Sequence, residues 1–283
     1  MSWEWAGGRM DLVPGRVLQV SLGGKEAFWA APDAPDWNVG GDRLWLGPER
    51  DWFWATDDPN DLSGHVVPAP IDPGEWRTIS LAMGHASYAA DPVLTHRGNG
   101  STTQVHIGRD VCLKYADSRR VIYEVHTRVE VAAGPPDQEV SAWSVLQVPA
   151  GGRLRLDLAG EWAYRDYLRP FDGRRFTVRD GHACVELPGQ FMAKIGIQPD
   201  VVAGPMRYSR DGVTIERVIE VHPDRRYCDH PLGADRSGQG DAVQVFEDDG
   251  HYGGYAELEH HSPAARYAEP VLDICRTTVS LGY

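Results

Sequence analysis

Arg120-Val121-Ile122-Tyr123-Glu124-Val125-His126-Thr127-Arg128-Val129-Glu130-Val131 is the stretch that decides the fold class. Val121, Tyr123, Val125, Thr127, Val129 and Val131 fall on one face, and Ile122, Glu124, His126, Arg128 and Glu130 on the other. Apolar residues at every second position over a dozen residues describe a strand with one buried face, because successive strand side chains alternate and helical ones do not. Ala133-Gly134-Pro135-Pro136-Asp137 breaks the run with turn-forming residues. Glu139–Val148 then resumes it, with Trp143, Val145 and Gln147 in alternation.

Outward from this pair, the chain reads as strands and turns nearly throughout. Toward the N-terminus the expected strands are Gly15–Leu22, Glu26–Ala30, Arg43–Leu46, Arg77–Met83 and Asp110–Tyr115. Toward the C-terminus they are Arg153–Leu158, Arg175–Val178, Ala183–Leu187, Phe191–Ile197, Val213–Val221, Ala242–Glu247, Tyr255–His260 and Val271–Ser280. Only Glu161–Leu168 reads as a short helix. The 31 Gly and 20 Pro residues punctuate these runs at roughly the 8–12-residue spacing of a sandwich or barrel. No self-similarity of 20–50 residues is present, which argues against a propeller. No composition shift or flexible linker divides the chain, so residues 1–283 are expected to form one large antiparallel all-β domain.

Composition narrows the function. The 283 residues carry 41 acidic and 28 basic side chains, a formal charge of −13, and a negative field repels phosphate backbones. No basic run exceeds the pairs Arg119-Arg120 and Arg225-Arg226, so nucleic acid is not an expected partner. No apolar run is long enough to span a membrane as a helix. The N-terminal Met-Ser-Trp-Glu-Trp-Ala-Gly-Gly lacks the basic stretch and apolar core of a secretory signal, so the expected location is cytoplasmic. Cys112, Cys184, Cys228 and Cys275 are far apart and form no CxxC pair, so they read as free thiols. Cys228-Asp229-His230 and His260-His261 are the segments closest to a metal motif, but adjacent strand residues point to opposite faces. Neither a metal nor any other cofactor is expected, and the sequence carries no signature of an oligomeric state.

Chemistry concentrates in three segments. In Gly40-Gly41-Asp42-Arg43-Leu44-Trp45-Leu46-Gly47-Pro48-Glu49, two glycines permit positive φ or close backbone approach ahead of a strand. Arg43 and Trp45 then share one face, and Leu44 and Leu46 the other. An arginine beside a tryptophan is either a ligand platform or a stacked pair at a wet sheet edge. On the first reading Arg43 serves the ligand rather than the core, and its loss leaves thermal stability almost unchanged. In Gly253-Gly254-Tyr255-Ala256-Glu257-Leu258-Glu259-His260-His261-Ser262-Pro263, one face carries Tyr255, Glu257, Glu259 and His261. Two like charges so close raise one carboxyl toward neutrality, where it can act as acid or base, or else they form a solvated acidic face. In Phe191-Met192-Ala193-Lys194-Ile195-Gly196-Ile197, a lysine among apolar residues needs a carboxylate such as Glu257 or Glu259, or it extends its ammonium to solvent. His85, flanked by small residues in Met83-Gly84-His85-Ala86-Ser87, is the expected acid-base histidine.

These segments resemble those of the galactose mutarotase-like (aldose 1-epimerase) superfamily, in particular its uncharacterised bacterial branch. Gly40–Glu49 is similar to the superfamily's early glycine-arginine-tryptophan-proline segment, Val129–Gly152 to its mid-chain strand pair, and Tyr255–Pro263 to the late segment that carries its catalytic glutamate. The resemblance runs from about Gly15 to Ser280. It implies a β-supersandwich with a sugar cleft on its concave face, and a carbohydrate as the small-molecule ligand. In that superfamily a glutamate takes the anomeric hydroxyl proton and a histidine protonates the ring oxygen. By position before the proline, Glu259 matches that glutamate best, with Glu257 next. Arg43 matches a substrate-binding arginine, with Trp45, Trp143, Gln147 and Tyr255 as further ligand contacts.

The superfamily's mid-chain histidine is replaced here by the Trp143–Gln147 region, and neither Trp nor Gln can be a general acid. The expected acid is therefore His85 or Lys194, or the protein is a sugar-binding module without turnover. A lyase or glycoside hydrolase using Glu257 and Glu259 is a further alternative. Two carboxylates one residue apart on a strand, about 6–7 Å at Cα, are poorly placed to straddle a glycosidic bond.

Overall fold

A computed structural model of the chain describes residues 1–34, 37–59 and 61–282. Its described residues form two antiparallel sheets, of ten and eleven strands, packed face to face. The first sheet runs, in spatial order, Ser2–Trp5, Gly8–Val13, Arg16–Leu22, Asp42–Gly47, Ser141–Pro149, Tyr255–His261, Val243–Glu247, Ala193–Ile197 and Arg165–Asp166, with Lys25–Glu26 beside Arg16–Leu22. The second runs Phe176–Arg179, His182–Leu187, Gly152–Leu158, Val202–Arg210, Val213–Ile219, Val271–Leu281, Arg120–Ala133, Thr102–Ala116, His85–Ala90 and Arg77–Ala82. Val93–Thr95 lies beside Thr102–Ala116. The all-β sandwich is the architecture expected from the alternation.

The deciding stretch behaves as its pattern requires. Val121, Tyr123, Val125, Thr127, Val129 and Val131 are all buried, whereas the intervening side chains are half-buried or exposed. Its strand sits between Val271–Leu281 and Thr102–Ala116. The main core fills the space between the sheets. Leu146, Val148, Ala256, Leu258, Val243 and Val245 from the first sheet meet Val121, Tyr123, Val125, Leu154, Leu156 and Val279 from the second. Truncating one such leucine to alanine costs about 2–5 kcal/mol, through lost transfer energy and the cavity left behind.

Polar residues also lie between the sheets. Asp42 accepts from Tyr123 Oη at 2.9 Å, and lies 3.5 Å from Arg109 Nη2 and 3.6 Å from Arg217 Nη2, with all four residues fully or almost fully buried. Ser144 Oγ accepts from Arg217 Nη2 at 2.8 Å, and Thr127 Oγ1 from Arg109 Nη1 at 3.1 Å.

Three local expectations are corrected. Glu161–Leu168 is not helical: Arg165–Asp166 pairs with Ala193–Ile197, while Trp162 and Tyr164 pack against the core. Among the described residues the α-helix is instead the four-residue turn Glu49–Trp52. The N-terminal hairpin Ser2–Trp5 with Gly8–Val13, and the first half of Thr102–Ala116, are strands the pattern did not mark.

Candidate active site

The outer face of the first sheet holds the chemistry, and strand register puts it there. Directly opposed residues share a face, so pairing aligns Trp45 with Trp143 and His261, and Arg43 with Val145, Glu259 and Gln244. A third row aligns Gln147, Glu257, Phe246 and Lys194. Five strands thus project their odd or even members to one place. Gly40 and Gly41, both at positive φ, lead into the Asp42–Gly47 strand. A Cβ on Gly41 would lie 2.5 Å from the Val17 carbonyl oxygen, so only glycine permits this approach.

Above these rows lies a cleft of about 480 Å³ including its mouth. Its walls are Trp37, Trp45, Trp54, Trp143, Phe246, Tyr252 and Tyr255, and its polar groups are Glu49, His65, Lys194 and Glu257. Aromatic rings brace one another: Trp45 meets Trp143 edge-on at 5.0 Å, and Phe53 packs on both. Such a cavity, mostly apolar with a few convergent polar groups, has the composition of a small-molecule site.

Glu257 and Glu49 are the carboxylates that line this space, and Glu257 sits on the sheet face beneath it. Its Oε1 accepts from Arg43 Nη2 at 2.9 Å and from Gln147 Nε2 at 2.9 Å, and among the described residues its Oε2 takes no hydrogen bond. Burial pushes the Glu257 carboxyl up, against the pull of Arg43 and Lys194. Arg43, 1% exposed, also lies 3.8 Å from Asp72 and sits over the rings of Trp45 and Trp37 at 4.3 and 5.2 Å. Asp72 in turn accepts from Trp45 Nε1 at 2.9 Å and from Arg16 at 2.6 Å, so the arginine's setting is fixed from behind.

Lys194 is the second centre. Its Nζ donates to Glu49 Oε2 at 2.7 Å, lies 3.1 Å from Glu259 Oε2, and sits 4.3 Å above the Trp143 ring. Trp143 Nε1 donates to the same Glu259 oxygen at 2.7 Å. Burial disfavours the ammonium, but Glu259, Glu49 and Asp229 hold its proton more tightly than in an ordinary lysine. The two carboxylates share that cation unequally. Burial works against the Glu49 anion, but Lys194 and then His65 pull its carboxyl well below the usual range. Burial, only partly opposed by Lys194 and reinforced by Glu257 and Glu49, pushes Glu259 up to about 8. Of the two, Glu49 is the more readily ionised and Glu259 the more reluctant to give up its proton.

Beneath Lys194, His261 stacks on Trp143 at 5.3 Å, and its Nδ1 is 3.1 Å from Ser141 Oγ. Burial, with Lys194 and His260 nearby, drives its pKa well down, so it is a neutral imidazole. His260 points the other way, to Asp273 at 3.0 Å between the sheets, as alternation requires. All four cysteines are free.

The structure therefore brings together Arg43, Trp45, Trp143, Gln147, Lys194, Tyr255, Glu257 and Glu259. Within that group Glu257 lines the cleft, whereas Glu259, 0% exposed, lies against Trp143 and Lys194. His85 is the correction. It is exposed at the start of a strand of the second sheet, paired with Ala82 and Cys112, because its small neighbours mark a hairpin turn and not a cleft. The histidine at the cleft is His65, stacked on Phe53 at 5.7 Å with Nε2 3.5 Å from Glu49 Oε1. Glu49 was visible only as the end of the Gly40–Glu49 segment, and His65, Asp72 and Asp229 sit in connections without periodicity.

This arrangement of two packed antiparallel sheets is similar in fold to structures described as galactose mutarotase and aldose epimerase relatives. The chain aligns over its full length with a galactose mutarotase related enzyme from Lactobacillus acidophilus, at TM-score 0.54, 7% identity and 97% of that chain. It aligns equally fully with the GalM/aldose epimerase homologue from C. elegans, at TM-score 0.53, 11% identity and 99% of that chain. No protein-family model and no curated protein matches the sequence. At these identities the likeness is one of fold.

Proposed function

We propose that the cleft binds a sugar and that the protein interconverts its anomers, as an aldose 1-epimerase-type enzyme. The observation that carries this reading is Glu257: one oxygen is clamped by Arg43 and Gln147, and the other is open to an aromatic-walled cleft that also holds His65. Indole and phenol rings offer apolar faces to the C–H faces of a pyranose, and the few polar groups fix its hydroxyls.

On this reading Glu257 Oε2 takes the proton of the anomeric hydroxyl. The electron pair forms the C1 carbonyl as the bond from C1 to the ring oxygen breaks, and the ring oxygen receives a proton from His65. Rotation about C1–C2 and the reverse steps close the ring as the other anomer. Glu49, fixed by Lys194 and by Trp54 Nε1 at 3.1 Å, orients the imidazole. The fold supports the same reading, since the two aligned structures are described as mutarotase or epimerase relatives.

The test is proton NMR of anomeric exchange with a panel of free aldoses. Glu257→Gln should abolish exchange and His65→Gln should slow it about 10²–10⁴-fold, with sugar affinity within a few-fold in both. Binding without exchange in the unmutated protein would make the cleft a sugar-binding site only. Exchange that survives in Glu257→Gln but not in Glu259→Gln would restore Glu259 as the base.

A further inference from the structure

We propose that two copies of this chain associate about a twofold axis by antiparallel pairing of their Ile79–Met83 segments, centred on Leu81. The inference concerns the edge of the second sheet and is independent of the sugar reading. Arg77–Ala82 ends that sheet, and among the described residues no strand pairs with its outer side. All six of its residues are exposed, which leaves a row of backbone donors and acceptors to water.

Backbone direction identifies the free groups. Leu113 N–H donates to the Gly84 carbonyl at 2.8 Å. The next residue, His85, therefore turns its own N–H and C=O the other way, toward its partner Ala82. Antiparallel pairs alternate between bonded and non-bonded positions, so Leu81 and Ala86 form a non-bonded pair and the Leu81 N–H and C=O point outward. The register shift between Thr78 and Ser80 confines regular pairing to the stretch around Leu81.

The side chains there are apolar and uncovered. Leu81 lies opposite Ala86 and continues the row of Val111 and Val125, which faces the core. By alternation Ile79 shares that face, and Met83 follows at the turn. Yet Ile79, Leu81 and Met83 are 62%, 49% and 68% exposed. The core face of the second sheet runs on past its cover.

A second copy is the occupant these features select. A twofold axis through Leu81 sets Leu81 against Leu81, Ile79 against Met83 and Ser80 against Ala82, so apolar residues meet apolar ones on that face. Leu81 then exchanges both N–H···O=C bonds with its copy. No charge and no proline occurs from Thr78 to Met83. The strands at the other three sheet ends contain Glu4, Arg165 with Asp166, and Arg179, the kind of residue that keeps an edge apart. Arg77 is already paired with Asp91 at 2.6 Å. Two molecules of formal charge −13 repel as wholes, and this uncharged segment is where they can meet.

Sedimentation velocity of the full chain at about 1–100 µM tests this. One strand pair is a small interface, so a reversible dimer is expected in that range. It should tighten as salt rises to about 0.5 M and screens the net charge. Leu81→Lys sets two ammonium groups face to face and should leave only monomer. Leu81→Pro removes an outward N–H that the sheet itself does not use, and should do the same. The two variants perturb the fold differently, so either one serves if the other does not fold. With Cys112→Ser and Cys184→Ser in the background, Leu81→Cys should form a disulfide-linked dimer on mild oxidation, since bonded pairs stand about 5.5 Å apart at Cα. Ile79→Cys, which faces Met83 of the other copy, should not. A monomer at about 100 µM in high salt overturns the proposal. So does a dimer that survives Leu81→Lys and Leu81→Pro, or one that cross-links through Ile79→Cys and not through Leu81→Cys.

Discussion

Lys194 Nζ stands 3.1 Å from Glu259 Oε2, with the carboxyl wholly buried and the ammonium nearly so. The same ammonium is 2.7 Å from Glu49, so one cation serves two carboxyls of very different proton affinity. Removing one member of a buried ion pair leaves an uncompensated charge and typically costs about 3–5 kcal/mol. Lys194→Met should therefore destabilise the protein by about that amount in urea unfolding. Adding Glu49→Gln should recover more of the loss than adding Glu259→Gln, because Glu49 is the more readily ionised partner. Equal recovery by the two would contradict this order of proton affinity.

The proton on Glu259 gives stability a pH signature. Its folded value is about 8 against an ordinary 4.5, so between these limits the folded state binds a proton that the unfolded state has released. Stability from this group is fully present below about 4.5 and is lost as pH rises through about 8. Asp229, raised to about 6 by burial and then by Glu49, acts in the same sense at lower pH. Glu259→Gln should flatten the decline in melting temperature between pH 6 and 8 relative to the unmutated protein. Parallel curves for the two would show that Glu259 is ionised throughout. His230, driven down to about 4 by burial and then by Arg165, works oppositely, removing stability as pH falls from 6.5 toward 4.

Arg43 is not a residue that can be lost from the ligand side alone. At 1% exposure, paired with Glu257 and stacked between indoles, it belongs to the scaffold as well as to the cleft. The expectation of near-unchanged thermal stability is corrected accordingly. Arg43→Ala should lower stability by about 3 kcal/mol or more and abolish sugar binding. Arg43→Lys, which keeps charge but loses the planar fork, should recover part of the stability. Thermal melts and calorimetry of both variants decide this, and an Arg43→Ala protein that melts normally would return the residue to a ligand-only role.

Asp42, one residue earlier, predicts the opposite division of labour. Its carboxylate meets Arg109, Arg217 and Tyr123 between the sheets, away from the cleft. Asp42→Asn leaves two buried guanidinium groups without their shared anion, and should cost about 3–5 kcal/mol in urea unfolding. At a temperature where the variant is folded, its sugar affinity should match that of the unmutated protein. A selective loss of binding would tie the inter-sheet cluster to the site.

Much of the fold is legible in the sequence because its strands bury one face and alternate cleanly, Arg120–Ala133 above all. The misses have physical causes. Thr102–Asp110 hides its pattern because Arg109 occupies a core position, acceptable only because Asp42 waits on the other sheet. Glu161–Leu168 misled because aromatic spacing in a short segment fits a helix turn as well as a chain edge packing Trp162 and Tyr164 inward. For the site, alternation assigns Arg43, Trp45, Glu257 and Glu259 to one face, but only the pairing register tells which glutamate reaches the cleft. His65 and Glu49 are placed by irregular connections, whose positions no periodic rule encodes.

Asp42 and Arg43 are neighbours whose charges serve two separate compartments, one closed between the sheets and one at the floor of the cleft. Their spacing cannot change by a single residue. An insertion or deletion within Asp42–Gly47 would exchange the two compartments, placing a guanidinium where a carboxylate neutralises two arginines and a carboxylate beside Glu257. Length variation should therefore be tolerated in the irregular connections over the cleft, where it would reshape what the pocket accepts, and forbidden in the strand beneath. For anyone redesigning specificity, the usable freedom lies in the rim of this molecule, and its floor is fixed by parity.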